Sequence, residues 1–242
     1  VTGESAGQTT VAVAWGGDAT VAAASKDINV NVEGVYYTIT SADQLKSIRL
    51  DLAGEFTLDA DIDMEGADVW TPIGTEAAPF TGKILGNGHK IKNIKISGEN
   101  NVGFIGTAHN ATVSHLGMEG ATVDYTGNGA NVAVIVGRAN GGVEVRECYV
   151  EGCNIRGRDH VAAIVGGSFK NGDKASLVED CHVTDTKVFT NEHQVAGIMG
   201  TMINATINRC YFTGEVNPES KGTNAGGMVS LIDAQGAGIT NA

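Results

Sequence analysis

The feature that most limits the fold of this chain is a repeat of about thirty residues, clearest between residues 101 and 230. Five short apolar segments each end in a small residue: Gly103-Phe104-Ile105-Gly106, Val134-Ile135-Val136-Gly137, Ala163-Ile164-Val165-Gly166, Gly197-Ile198-Met199-Gly200 and Gly227-Met228-Val229-Ser230. Their last residues stand 31, 29, 34 and 30 positions apart. A second motif follows the first four segments, with apolar residues at Val113, Leu116 and Met118, at Val145, Cys148 and Val150, at Val178, Cys181 and Val183, and at Ile207, Cys210 and Phe212. A further apolar position comes next, at Val123, Ile155, Val188 and Val216. Self-similarity at this period means stacked units, none of which buries a core alone.

Each copy holds short β-branched runs broken by Gly, Asn and Asp. Between residues 101 and 204 no run has helical spacing and no proline occurs. Three strands of roughly five or six residues with three turns fill about thirty residues. That is one coil of a parallel β-solenoid, whose matching positions stack about 4.8 Å apart as side-chain ladders. Leucine-rich repeats and WD40 blades have periods in or near this range. The leucine-asparagine pattern of the first and the Trp-Asp signature of the second are absent. The expected fold is all-β: a right-handed parallel β-helix of five to six coils, the hand following from strand twist.

The Gly-x-x-Gly segments, together with Trp70-Thr71-Pro72-Ile73-Gly74, Phe80-Thr81-Gly82-Lys83 and Gly86-Asn87-Gly88-His89, resemble GLUG-motif proteins. Val134 and Ala163 depart from the pattern by replacing the first glycine. The resemblance runs from residue 36 to the end. It implies a right-handed parallel β-helix of bacterial surface proteins, common in Bacteroides relatives and beside IgA-type proteases. It also implies an extracellular surface or adhesion role and carries over no catalytic residue.

Thirty-four glycines in 242 residues are about twice the usual 7%. Only three prolines accompany them, so they read as tight turns rather than a disordered linker. The net charge of −12 and the lack of a basic stripe argue against nucleic acid. No apolar run reaches the length of about 20 needed to cross a bilayer, so no direct membrane insertion is expected. Val1 is not a start methionine, so the chain reads as processed or trimmed, and secretion rests on the resemblance alone.

Three of the four cysteines, Cys148, Cys181 and Cys210, share one column with Leu116. A position that accepts Leu or Cys is a buried apolar one. Stacking at about 4.8 Å is wider than the 3.5–4.5 Å Cβ separation that a disulfide takes. The expectation is unpaired buried thiols. Zinc is disfavoured, because Cys148 and Cys153 have the wrong spacing and His182 points opposite to Cys181.

The chain divides into residues 1–34, a strand-bearing edge segment or linker, and residues 35–242, the solenoid. In the first part Thr10 to Trp15 and Ile28 to Val32 alternate like strands around a turn at Gly16-Gly17-Asp18. Residues 36–40 read as a strand. Ser41-Ala42-Asp43-Gln44 is a capping box, and Leu45, Ile48 and Leu52 follow at helical spacing. That predicts a capping helix over residues 42–52, stopped near Gly54, whose role is to plug the open end. Phe56 to Met64 alternates apolar in and acidic out, so Asp59, Asp61 and Asp63 share a face. Calcium could use such a row, but a row along one strand converges poorly and a solvated face is favoured. Trp70, Pro72, Ile73 and Phe80 form a large-residue layer over the first coil. Gly86-Asn87-Gly88 is a turn, and Lys90, Lys92 and Lys95 line a solvated strand face. Asn110-Ala111-Thr112 and Asn204-Ala205-Thr206 match the glycosylation pattern, and both occupy the same turn of their repeats.

Two groups of residues are candidate sites. Facing out beside the inward cysteines is a column of Tyr149, His182 and Tyr211. Glu147 and Glu151, Asp180 and Thr184, and Arg209 and Thr213 flank it. Such a wall can bind a glycan or a host or matrix protein, though outward aromatics also simply stabilise sheets. The second group is Arg158, Asp159, His160, Glu192 and His193, at matching turns of two coils. Hydrolysis on a β-helix needs paired carboxylates, and elimination needs a base with a stabilising cation. The aspartate pairs and Gly-His-Gly pattern of pectinases are missing. No metal site and no cofactor is called for. The reading is a non-catalytic surface module for adhesion or ligand binding, with a polysaccharide lyase or hydrolase, or a remnant of one, as the alternative.

Overall fold

The computed structural model describes residues 7–15, 24–32, 35–125, 127, 130–219, 224–233 and 238–240. From residue 38 onward the strands pair in parallel with the strand one coil away, and the whole is a β-solenoid of about six turns. One wall is an eight-stranded sheet that starts at Thr38–Ile39 and Glu55–Leu58 and ends at Ala205–Asn208 and Gly238–Thr240. Its inward column runs Ile84, Val113, Val145, Val178, Ile207. A second column runs Ile62, Ile91, Met118, Val150, Val183, Phe212. A third runs Ile96, Val123, Ile155, Val188, Val216. A fourth runs Ile105, Val136, Val165, Met199, Val229 along a five-stranded sheet.

A coil thus holds four strands where three were expected: Thr112–Ser114, Gly117–Glu119, Thr122–Tyr125 and Val136–Asn140 make one. The extra division comes from a left-handed residue that bends the chain. Asn93, Gly120, Gly152 and Asp185 occupy that corner with φ of 57°, 62°, 63° and 50°. Gly and Asn or Asp take this conformation at least cost. In the strand His182–Thr190 the same corner appears as a register shift between Thr184 and Lys187. Residues 56–64 are likewise two strands rather than one. Glu55–Leu58 belongs to the first wall and Ile62–Asp63 to the second, while the apolar-in alternation continues around the bend.

The amino end is closed by the predicted helix, in a shorter form. The α-helix covers Ala42–Lys46 and tightens into a 3-10 turn over Ser47–Leu50. Ser41 Oγ accepts from the Gln44 N–H at 3.3 Å, while Gln44 Oε1 accepts from the N–H of Thr40 rather than that of Ser41. Asp51, extended at φ −141°, ends the turn, so Gly54 is not the stop. Leu45 and Ile48 are fully buried with Ile39, Phe56 and Leu58. Of the expected layer Trp70, Ile73 and Phe80 are buried, while Pro72 is half-exposed. The Trp70 indole stacks on Phe104 at 5.2 Å and donates to its carbonyl at 3.0 Å. Arg49 lies 3.9 Å over the Trp70 ring and hydrogen-bonds the Thr71 carbonyl, tying the helix to the first coil.

Before residue 35 the expected strands are present. Gly7–Trp15 pairs antiparallel with Ala24–Val32. The proposed turn at Gly16-Gly17-Asp18 lies outside the described residues.

Candidate functional site

The column Tyr149, His182, Tyr211 forms in register on the second wall. The residues before them, Cys148, Cys181 and Cys210, point inward and are free and buried. Burial pushes the Cys153 thiol up to about 12, leaving it unreactive near neutral pH. The outward rings stack on one another. Tyr149 lies 5.4 Å from His182 at an interplanar angle of 10°, and His182 lies 5.1 Å from Tyr211 at 11°. The ring planes therefore look along the solenoid axis, and each face is covered by the next ring. Tyr149 lies over Gly117, its partner in the coil before, where any Cβ would land in the ring. What the wall presents sideways is ring edges and polar tips. At the two ends of the stack, Tyr149 rests on Gly117 and the outer face of Tyr211, 52% exposed, has no ring stacked on it among the described residues.

Tyr149 donates its hydroxyl to Glu119 Oε1 at 2.8 Å, and Lys90 Nζ holds the same oxygen at 2.9 Å. Burial and then that bond to Glu119 hold the phenol protonated far above its ordinary range. Glu119 was not anticipated as part of this wall. Its signal was available, because it stands two residues after Gly117 in the same repeat position as Glu151.

The flanking charges are exposed as expected; Glu151 lies on the strand, but Glu147, Asp180 and Arg209 sit on a corner. His115, Glu147, Asp180 and Arg209 occupy one column with φ of 54°, 51°, 54° and 49°. They pair along it. His115 Nε2 lies 2.9 Å from Glu147, and Arg209 grips Asp180 through two bonds of 2.6 Å. The Arg209 bonds hold the Asp180 carboxyl below its usual range. Glu179 takes Asn208 at 2.8 Å and Arg209 at 3.0 Å, and it is also bonded by Arg146. Two of the acidic row are engaged in the same way. Asp61 accepts from His89 and Lys90, and Asp63 accepts from Asn93 Nδ2 at 2.9 Å.

The second group also converges. His193 Nδ1 lies 3.5 Å from Asp159 and 3.6 Å from Glu192, and His160 Nε2 lies 3.9 Å from Asp159. Both acids already have partners. Asp159 Oδ1 accepts the N–H of His160 at 2.8 Å and of Gln194 at 3.1 Å, and Glu192 meets Arg158 at 2.7 Å. His160 continues a column that was not read from the sequence: Asn101, Asn131, His160, Gln194, Asn224, each preceding Val102, Val132, Val161, Val195 and Ala225. Asn131 Nδ2 donates to Asn101 Oδ1 at 2.8 Å, and Asn131 Oδ1 lies 3.1 Å from His160 Nδ1. Burial lowers the His160 proton affinity despite the adjacent Asp159. At the other end of this column Asn101 opens into a cleft of about 670 Å³ with Pro72, Glu76, Ser97 and Asn100. Among the described residues no three His, Cys, Asp or Glu side chains are arranged to hold a metal ion.

The chain is similar in structure to a putative immunoglobulin A1 protease from Bacteroides ovatus, with a TM-score of 0.66 and 22% identity. This chain is a parallel β-solenoid repeat protein. The likeness covers 84% of it and 63% of the Bacteroides chain, and at that identity it is one of fold. By sequence, a stretch of 146 residues is 32% identical to halomucin of Haloquadratum walsbyi, covering 54% of this chain and 2% of halomucin. The solenoid therefore spans a small part of that relative and under two thirds of the structural neighbour. No family model matches.

Proposed function

We propose that this solenoid is a non-catalytic, GLUG-type module of an extracellular or cell-surface protein, acting in adhesion or ligand binding. Its ligand is a glycan or a host or matrix protein. The wall of Tyr149, His182 and Tyr211, flanked by Glu147, Asp180 and Arg209, is the binding face. The observation that carries this is the outward, in-register ring stack ending on the exposed Tyr211. Aromatic edges with hydroxyl and imidazole tips suit a neutral, hydroxyl-rich or mixed-charge partner. Asp180 and Arg209 neutralise each other and Glu147 leaves the face net negative, which disfavours a polyanion. The surface location is supported by the repeats and by the likeness to an immunoglobulin A1 protease and a halomucin, both named for chemistry met outside cells. No helix among the described residues is long and apolar enough to cross a membrane.

The second reading is a polysaccharide-active enzyme or its remnant. It is favoured by the approach of His160, His193, Asp159 and Glu192. Against it, both carboxylates are engaged by backbone N–H groups or by Arg158, the pattern of a structural turn.

A glycan array and a polysaccharide degradation screen separate the two. For the first reading, Tyr149→Ala with Tyr211→Ala should weaken a ligand found on the array about ten- to a hundred-fold, since one ring contact is worth about 0.5–1.5 kcal/mol. Unchanged binding by a folded double variant moves the site elsewhere. Chain cleavage that His160→Ala abolishes would establish the enzyme.

A further inference from the structure

The first coil departs from its successors on one side. Ile73 is bridged to Ile105 and Phe80 to Ala108, so the first coil has four more residues between these bridges than the next one. The extra chain leaves the wall. Gly74 turns it outward at φ 75°, where a Cβ would lie 2.5 Å from the Thr107 carbonyl oxygen. Thr75 and Ala78 then close a turn, with the Thr75 N–H on the Ala78 carbonyl at 2.9 Å and the Ala78 N–H on Thr75 Oγ1 at 3.2 Å. Facing this loop, the next coil turns at Asn101, left-handed at φ 50°. Between the two lies the cleft of about 670 Å³, inside the range of about 300–1,000 Å³ that small-molecule sites occupy.

The floor of this cleft is polar and fixed. Asn101 and Thr107 line it and are 6% and 0% exposed. Asn101 Nδ2 donates to Thr107 Oγ1 and to Glu76 Oε1, each at 3.1 Å. One oxygen of Glu76 is thus held from beneath, while the side chain stays 65% exposed. Glu99 adds a second, exposed carboxylate, Ser97 a hydroxyl, and half-exposed Pro72 an apolar side. Among the described residues no Lys or Arg lines the cleft. Arg138 reaches only within 3.8 Å of the anchored Glu76 oxygen, and its guanidinium lies over Phe169 at 4.1 Å. Acceptors therefore dominate, and the two carboxylates repel an anion. A fitting molecule donates several hydrogen bonds, carries no negative charge and lays a C–H face on Pro72. Hydrogen bonds to a carboxylate are about twice as strong as neutral ones. A neutral pyranose ring, with hydroxyls at its rim and C–H groups on its faces, has these properties.

We propose that this cleft binds a single neutral pyranose residue, whose hydroxyls donate to Glu76 and Glu99 and whose C–H face packs on Pro72. The cleft shares no residue with the wall of Tyr149, His182 and Tyr211, so the two sites stand or fall separately.

Saturation-transfer NMR on the full chain tests this with methyl glucoside, methyl galactoside and methyl mannoside as probes. At least one should bind with a dissociation constant in the millimolar range, as suits a small ligand in an open cleft, and glucuronate should not. Glu76→Gln keeps an acceptor for Asn101 and removes the charge, and it should weaken binding about tenfold. On the unmodified chain, the side-chain amide of Asn101 and the backbone amide of Gly98 should shift as the sugar is added. They should shift equally in the chain carrying Tyr149→Ala and Tyr211→Ala, which separates this cleft from the aromatic wall. The proposal is overturned if none of the three probes binds, if glucuronate binds as well as they do, or if calcium displaces the sugar. It is also overturned if the Asn101 and Gly98 signals stay still, or if folded Glu76→Gln binds unchanged.

Discussion

At the amino end of the solenoid, Leu45 and Ile48 of the helix lie on Ile39, Phe56 and Leu58, and all five are at most 1% exposed. In the last described coil the corresponding columns hold Phe212, Val216, Met228 and Val229, which are only partly buried among the described residues. The inward residues are of the same kind at both ends. The difference is whether a layer covers them. A coil buries its core only against neighbours on both sides, so a terminal coil is as stable as what lies over it. The polar column shows the same gradient. Asn101 and Asn131 are 6% and 4% exposed, His160 and Gln194 are intermediate, and Asn224 is exposed.

Truncating matched core residues at the two ends tests this most strongly. Ile48→Ala empties a closed site and should cost about 2–5 kcal/mol. Met228→Ala, at the open edge, should cost about 1 kcal/mol or less. Urea unfolding of both variants gives the numbers, and equal losses would mean that the carboxyl edge is covered in solution.

A smaller contrast comes from two glycines. Gly117→Ala places a Cβ in the Tyr149 ring, whereas Gly227→Ala meets nothing within 4 Å. The first should cost about 1–3 kcal/mol by overpacking and displace Tyr149 from His182, visible as a shift in the His182 ring protons. The second should stay within about 0.5 kcal/mol of the parent.

The smallest expected effect is pH dependence at the middle of the polar column. The folded chain resists protonating His160, because burial lowers its proton affinity. The unfolded chain takes the proton near the ordinary value of about 6.5. This contribution is therefore complete above that pH and declines as pH falls below it toward the depressed folded value. His160→Asn extends the Asn101–Asn131 run and suits the left-handed backbone at φ 49°. Melting curves across this range should fall less steeply for the variant than for the parent.

Much of the architecture was legible because a solenoid writes its tertiary contacts into its period. The apolar columns, the inward cysteines, the outward Tyr149, His182 and Tyr211 and the capping serine all follow from spacing. The corner residues were harder to see. Glu147, Asp180 and Arg209 hold a left-handed backbone that their side chains do not advertise. Their charges are paired across coils, which spacing alone does not show. The helix was overestimated by its last turn, because Leu52 keeps helical spacing while Asp51 has already left the helix. The Asn101 column was missed because buried amides read as turn residues until their ladder partners are known.

The sequence by itself determined that residues about thirty apart would stack, and which side chains would face the core. Periodicity and side-chain alternation are local properties, and repetition turns them into contacts. Tertiary structure alone decided the plane of the stacked rings, the pairing of Asp180 with Arg209, the convergence of His160 and His193 on Asp159, and the burial of the first coil beneath the helix. Each of these depends on distances between coils and on what covers a surface, and neither is a property of any single repeat.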